Sequence, residues 1–292
     1  MRINFEFRRF PVSGFRFPGS SSWVPAFCSL ALLFSTTLAA EDELRVIAMA
    51  PHLTELAYAA GGGETLVGVV DWSDYPPEAS ELPSIGDAFR FDLERIMQLE
   101  PDLALAWRGG TPEGAVARIA DLGIEIEWIE SRSLDDIAVG LETLGEVLGS
   151  PEVGQRAAAD FRDRLATFEP PESTRGRVFY QVSARPLYTL GGRHVINEVF
   201  NRCGLENIFA GLDTEAAVVD FEAVVSASPD LIIGSFENND ADPLQRWQAS
   251  GLVDEKETRM HRVEPELLVR PTPRIIDGIE HICEIANTLQ AP

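Results

Sequence analysis

Two carboxylates, Asp71 and Asp74, flank Trp72 just after an apolar run. A carboxylate pair is the minimum for general acid–base work. No motif in the chain supplies a nucleophile or a metal site to join them. There is no His-Glu-x-x-His, no Gly-x-Ser-x-Gly and no Gly-rich phosphate loop carrying lysine. His52 follows the first apolar run, where a neutral imidazole could ligate a metal. A hydrogen-bonding loop histidine is the alternative reading. His194, His261 and His281 lack close metal-ligand spacing. Trp72 and Trp107 each stand at the end of a strand-like run, and each indole offers a flat apolar face and one donor.

The elements that must position them follow from periodicity. Strands are expected at Arg45–Ala50, Leu66–Val70, Leu103–Trp107 and Ile124–Ile129. Helices are expected at Thr54–Ala60, Asp92–Leu99 and Ala115–Leu122, stopped by glycine or proline. Residues Ser133–Leu148 form a further helix. After Pro151 another runs to Phe168, with Val153, Ala157, Phe161, Leu165 and Phe168 on one face. The alternation then restarts with a strand at Arg177–Val182 and a helix at Val195–Cys203. Beyond these come a helix at Phe221–Ala227, strands at Leu231–Gly234 and His261–Val263, and a helix at Pro273–Leu289. Strands alternating with helices point to doubly wound parallel sheets.

The chain has 292 residues, 45% of them hydrophobic and 24% charged, with a net charge of -23. Such a surface repels phosphate backbones and anionic lipid, so no nucleic-acid partner is expected. Residues 1–40 read as a signal peptide. Arg2, Arg8, Arg9 and Arg16 form a basic leader, Val24–Ala40 is apolar or small, and Glu41-Asp42-Glu43 turns acidic. Cleavage after Ala40 would leave 20 bases against 46 acids, a charge of -26. Cys28 leaves with the leader, so Cys203 and Cys283 remain. In an oxidising compartment they are expected to pair, closing a loop worth roughly 4–5 kcal/mol on a chain-entropy basis. Two buried thiols are the alternative.

One segment occurs twice. Glu94 to Leu103 (ERIMQLEPDL) matches Glu222 to Leu231 (EAVVSASPDL) at glutamate, at Pro-Asp and at the strand's first leucine. The glutamate favours the helix dipole, and the proline stops the helix. One copy per half suggests two lobes of related topology.

Several stretches occur in a familiar order: the Thr-Glu-Leu helix before Gly61, Trp72-Ser73-Asp74-Tyr75-Pro76-Pro77, Leu93-Glu94-Arg95-Ile96, Pro101-Asp102-Leu103, Ala106-Trp107-Arg108-Gly109-Gly110 and Cys203–Phe209. The chain resembles the periplasmic substrate-binding proteins of cobalamin and siderophore ABC importers over nearly all of Arg45–Leu289. The resemblance implies α/β architecture: two doubly wound lobes joined by a single long helix, with the ligand cleft between them. The division expected is an N-terminal lobe at 41–132, a helical segment with the inter-lobe helix at 133–171, and a C-terminal lobe at 172–292. It implies a periplasmic binding protein, not an enzyme, that acts as a monomer, holds no cofactor or metal of its own, and delivers a small-molecule ligand to a membrane permease and its ATPase.

The resemblance also implies roles. Trp72 and Trp107 would face the ligand, with Arg108 adding a polar contact. Glu266, Leu267, Leu268, Val269 and Arg270 would form a ligand-contacting loop. Leu267 and Leu268 stand where relatives carry aromatics, and Ala216 where cobalamin binders often carry tryptophan. His52 could reach cobalt or haem iron. Glu94 and Glu222 would meet arginines of the permease. The expected ligand is cobalamin or another corrinoid. Haem or a ferric siderophore is the alternative; Arg90, Arg108, Arg185 and Arg270 are the candidates for an anionic ligand, and Lys256 is the chain's single lysine. A secreted enzyme using Asp71 and Asp74 is the third reading.

Overall fold

β1 (Val46–Ala48) is buried along its whole length, as a central parallel strand must be. It pairs with β2 (Leu66–Val69) on one side and β3 (Leu103–Trp107) on the other, and β4 (Glu125–Ile129) closes the sheet. The order is β2-β1-β3-β4, and each adjacent pair is parallel. The structure is a computed structural model that describes residues 43–235, 247, 249 and 259–289. The leader expected at 1–40 lies outside the described residues.

The second sheet repeats the first. β5 (Gly176–Gln181), β8 (Leu205–Asn207), β10 (Leu231–Ser235) and β11 (Arg259–Val263) are ordered β8-β5-β10-β11, again all parallel. Equivalent registers hold: Val46 opposes Leu103, and Val178 opposes Leu231. The duplicated segment explains this. Asp102 accepts from the backbone N–H of Arg45 at 2.9 Å, and Asp230 from that of Arg177 at 2.7 Å. The side chain of Arg45 donates to the carbonyl of Leu99, and Arg177 to that of Ala227. Each arginine thus closes the end of the helix that leads into that aspartate, α2 (Leu93–Leu99) and α7 (Phe221–Ala227). The fold is the two-lobed, doubly wound α/β arrangement expected.

The two halves share a core. α1 (Pro51–Ala59), α4 (Leu134–Val147) and α5 (Pro151–Leu165) bury Leu53, Leu141 and Phe161 in one cluster with Val46 of the first sheet and Tyr180 of the second. α5 connects the sheets and spans about 22 Å at 1.5 Å per residue. Ser133 and Asp136 cap α4 reciprocally, at 3.1 and 2.8 Å. α4 and α5 meet at backbone distance: a Cβ on Gly154 would lie 2.4 Å from the carbonyl oxygen of Leu141. α3 (Glu113–Ala120) and α6 (Ile196–Arg202) complete the layers.

Some boundaries differ from expectation. α1 starts at Pro51, not Thr54, because a proline that ends a strand also suits the first helical position. His52 therefore sits on a helix. Residues 266–270, expected as a loop, form α8 (Glu266–Val269) followed by Arg270. A small antiparallel sheet of β6 (Ser183–Ala184), β7 (Leu187–Leu190) and β9 (Ala216–Val218) was not foreseen. These strands are too short to show alternation, and β7 pairs with a partner far along the chain. The last helix, α9, runs Ile275–Leu289.

Cys203 at the end of α6 is bonded to Cys283 of α9, across a sequence separation of 80. Closing that loop restricts the unfolded chain. Urea unfolding of the oxidised and the reduced protein should therefore differ by about 4 kcal/mol. Equal stabilities, or two thiols alkylated without reductant, would contradict the bond.

Candidate functional site

The carboxyl ends of β1, β2, β3 and β4 lie along one edge of the first sheet, since Ala48 pairs with Val69 and Leu105, and Trp107 with Ile129. In open α/β sheets this is the edge where ligands bind. Trp72 projects from it and is 68% exposed. Its backbone is left-handed, with φ at 68°. That conformation costs a bulky L-residue roughly 1–2 kcal/mol and persists only where the surroundings enforce it.

The enforcement comes from α1 and from the other lobe. Thr54 and Ser73 share a buried hydroxyl–hydroxyl hydrogen bond at 3.1 Å. Arg270 donates to the carbonyl oxygen of Trp72 at 3.2 Å and to Asp74 at 2.6 Å. It also donates to Glu55 at 3.1 Å. Arg274 donates to both oxygens of Glu55, at 2.9 and 2.7 Å, and lies 3.9 Å over the ring of Tyr75. Glu55 is only 4% exposed, and a buried carboxylate requires such partners. Burial opposes the charge on Arg270, but its bonds to Asp74 and Glu55 outweigh that and raise its pKa.

Trp107 is half-buried and packed. Its ring lies against Gly110, where an added Cβ would come within 1.8 Å of it. Thr111 closes the turn with hydrogen bonds to Trp107 at both backbone N–H and carbonyl. The His52 ring meets Trp107 edge-on at 5.0 Å and lies 3.5 Å from the Ser131 hydroxyl. His52 is 4% exposed. Burial first, and the charge of Arg270 second, lower its pKa to about 3. This packed, neutral imidazole is not turned outward as a metal ligand would need. Among the described residues no group of three or more His, Cys, Asp or Glu side chains could hold a metal ion.

The remaining expected residues divide. Arg108 turns to β4, ion-paired with Glu130 at 3.0 Å and stacked on Trp128 at 4.8 Å. On α8, Glu266, Leu267 and Val269 are partly exposed. Leu268 is buried in the shared core, where it packs the fold. Asp71 accepts from Ser84 at 2.5 Å while Asp74 is held by Arg270, so the two carboxylates serve separate partners. Glu94 and Glu222 are exposed, each in the first turn of its helix behind Asp92 or Asp220.

Sequence reasoning missed Glu55, Arg274, Tyr75 and Phe89. Glu55 reads as one polar residue on a short amphipathic helix, yet His52 to Ala57 are all buried, and the sequence carries no local signal of that. Phe89 is 71% exposed at the tip of a turn capped by Asp87. The turn lies beside the Trp72 loop, where Asp71 N–H meets the Gly86 carbonyl at 2.8 Å. A cavity of about 470 Å³ opens beside Glu55, lined also by Tyr58, Tyr75, Arg164, Arg274 and Asp277. Neither Trp72 nor Trp107 lines it.

A sequence profile of the periplasmic binding proteins matches residues 46–248. The chain belongs to that periplasmic binding protein family. It is 39% identical over 249 residues to the vitamin B12-binding protein of Vibrio cholerae, covering 84% of this chain and 90% of that one. Identity to the vitamin B12-binding protein of Vibrio parahaemolyticus is 36% over 258 residues, 87% and 94% of the two chains. The crystal structure of the Vibrio cholerae periplasmic vitamin B12 binding protein matches with a TM-score of 0.74 at 37% identity, covering 85% of this chain and 98% of that one. A periplasmic haem-binding protein from Pseudomonas aeruginosa has the same fold, with a TM-score of 0.72 at 23% identity over 85% and 94% of the chains. Relatives in this periplasmic binding family bind molecules and are not named for catalysis.

Two imidazoles, one on buried His52 and one on half-buried His194, make stability pH-dependent. His194 is lowered to about 4 by burial, as His52 is to about 3, both from 6.5. Below pH 6.5 the unfolded chain takes up protons that the folded chain refuses, so stability is full above that pH and falls as pH drops. At pH 5, His52 alone accounts for about 2 kcal/mol. Urea unfolding of His52→Gln at pH 7 and pH 5 should show a pH difference smaller than wild type by about that amount.

Proposed function

We propose that this protein captures cobalamin or a closely related corrinoid in the periplasm and hands it to an ABC importer. The observation that carries the reading is the exposed indole of Trp72, held at the ligand edge of its sheet in a left-handed backbone. A solvent-exposed aromatic on a strained, fully braced loop suits a large flat ligand. The vitamin B12-binding relatives support that choice of ligand. Phe89 and Val218 are further exposed apolar side chains, 71% and 59% accessible.

The charges favour corrinoid over ferric siderophore. Of the four candidate arginines, Arg108 is matched by Glu130, and Arg270 by Glu55 and Asp74. An anionic ligand would have to compete with those carboxylates. Haem on the same fold is the second reading, favoured by the haem-binding neighbours but with lower sequence identity. Catalysis is not part of the proposal.

Isothermal titration with cyanocobalamin should give one site per chain, and Trp72→Ala should weaken it by about tenfold or more, the loss of one stacking face. Heat with haemin and none with any corrinoid would reverse the choice of ligand.

Glu94 and Glu222 are proposed as the permease contacts. Their support is their exposure and their equivalent placement in the duplicated segments. Glu94→Ala with Glu222→Ala should leave ligand affinity unchanged and lower uptake through the cognate permease, with contacts that weaken in salt. Normal uptake by the double variant would end this assignment.

A further inference from the structure

Every residue of the Trp72–Tyr75 loop is gripped, two of the four by Arg270. The Trp72 carbonyl takes Arg270, the Ser73 hydroxyl bonds Thr54, the Asp74 carboxylate takes Arg270, and the Tyr75 ring lies under Arg274. Both arginines come from the segment between α8 and α9, in the opposite lobe. Both are themselves placed by one carboxylate. Glu55 Oε1 accepts from Arg270 at 3.1 Å and from Arg274 at 2.7 Å, and Oε2 accepts from Arg274 at 2.9 Å. Glu55 sits next to Thr54, so one turn of α1 supplies both the hydroxyl and the carboxylate anchors.

We propose that Glu55 is a positioning residue for ligand capture, acting through Arg270 and Arg274 to set the direction of the Trp72 indole. The inference rests on the corrinoid reading of the Trp72 site. It gives Arg270 a new role. Its Nη1 is shared by two carboxylates and its Nη2 faces a backbone carbonyl, so it braces the loop. Arginine suits this role because its planar fork serves three acceptors at once, which a lysine ammonium on its flexible stem does not reproduce. The bracing also explains how a tryptophan persists at φ 68°. A preset indole loses little freedom when a ligand lands on it, which favours affinity.

The test is a double-mutant cycle on cyanocobalamin affinity with Glu55→Gln and Trp72→Ala. Glu55→Gln should weaken binding about tenfold in the Trp72 background and less than about twofold once Trp72 is alanine. Equal losses in both backgrounds would overturn the proposal, because a merely structural ion pair acts independently of the indole. A second readout needs no ligand. Acrylamide quenching of Trp72, taken as the difference between each protein and its Trp72→Phe counterpart, should change on Glu55→Gln. Unchanged quenching would also overturn the proposal. If wild type takes up no corrinoid, the functional reading fails and quenching alone decides the positioning role. Should Glu55→Gln not fold, Arg270→Lys replaces it in the same cycle, with the same coupled loss expected and additive losses counting against it.

Discussion

The carboxylate of Glu55 is the constraint on which the binding edge depends. It is almost fully buried and binds two guanidinium groups from the other lobe. Such a group is tolerated only when its partners are in place, and removing one partner of a buried pair costs about 3–5 kcal/mol. The two lobes are therefore tied at the base of the Trp72 loop by charge as well as by packing. That tie transmits the position of a segment near the chain's end to a loop formed near its beginning.

The packing is continuous. Side chains of both sheets meet α1, α4 and α5 in one cluster, and α4 and α5 touch at Gly145 and Gly154 with no room for a Cβ. Interiors this dense resist gradual deformation. A connection made of one helix within a shared core suits a molecule whose lobes keep their relation while a ligand enters. The disulfide from α6 to α9 adds a covalent tie within the second lobe.

The duplication runs deeper than the repeated Glu…Pro-Asp suggests. Arg45 and Arg177 each lie at the start of a central strand, each donate a backbone N–H to the aspartate of that motif, and each bond the end of the helix that leads into that aspartate. Glu100 and Ser228 end those helices in the same left-handed conformation, at φ 45° and 46°. Neither is glycine, so both positions carry backbone strain that the arginine bonds offset. Sequence identity between the halves is slight, yet the physical device is the same.

Much of the scaffold was legible in the residues. Buried runs such as Val46–Ala48 have no alternative to a central parallel strand, and Ser133 with Asp136 marks a helix start by local hydrogen bonding. The pairing of Cys203 with Cys283 was readable as an expectation that assumed a leader carrying Cys28 away. The aromatic at Trp72 was readable as a candidate because it follows a strand. What tertiary structure decided was the partner of each polar group. His52 and Leu268 looked available and are buried, Arg108 turned to Glu130, and Glu55 became the hub of the site. No local pattern encodes those outcomes. Glu55 and Arg270 stand 215 residues apart, and they meet only because two sheets and a shared core bring α1 and α8 together. Local sequence determines which elements form, whereas burial and ion pairing depend on which surfaces those elements cover.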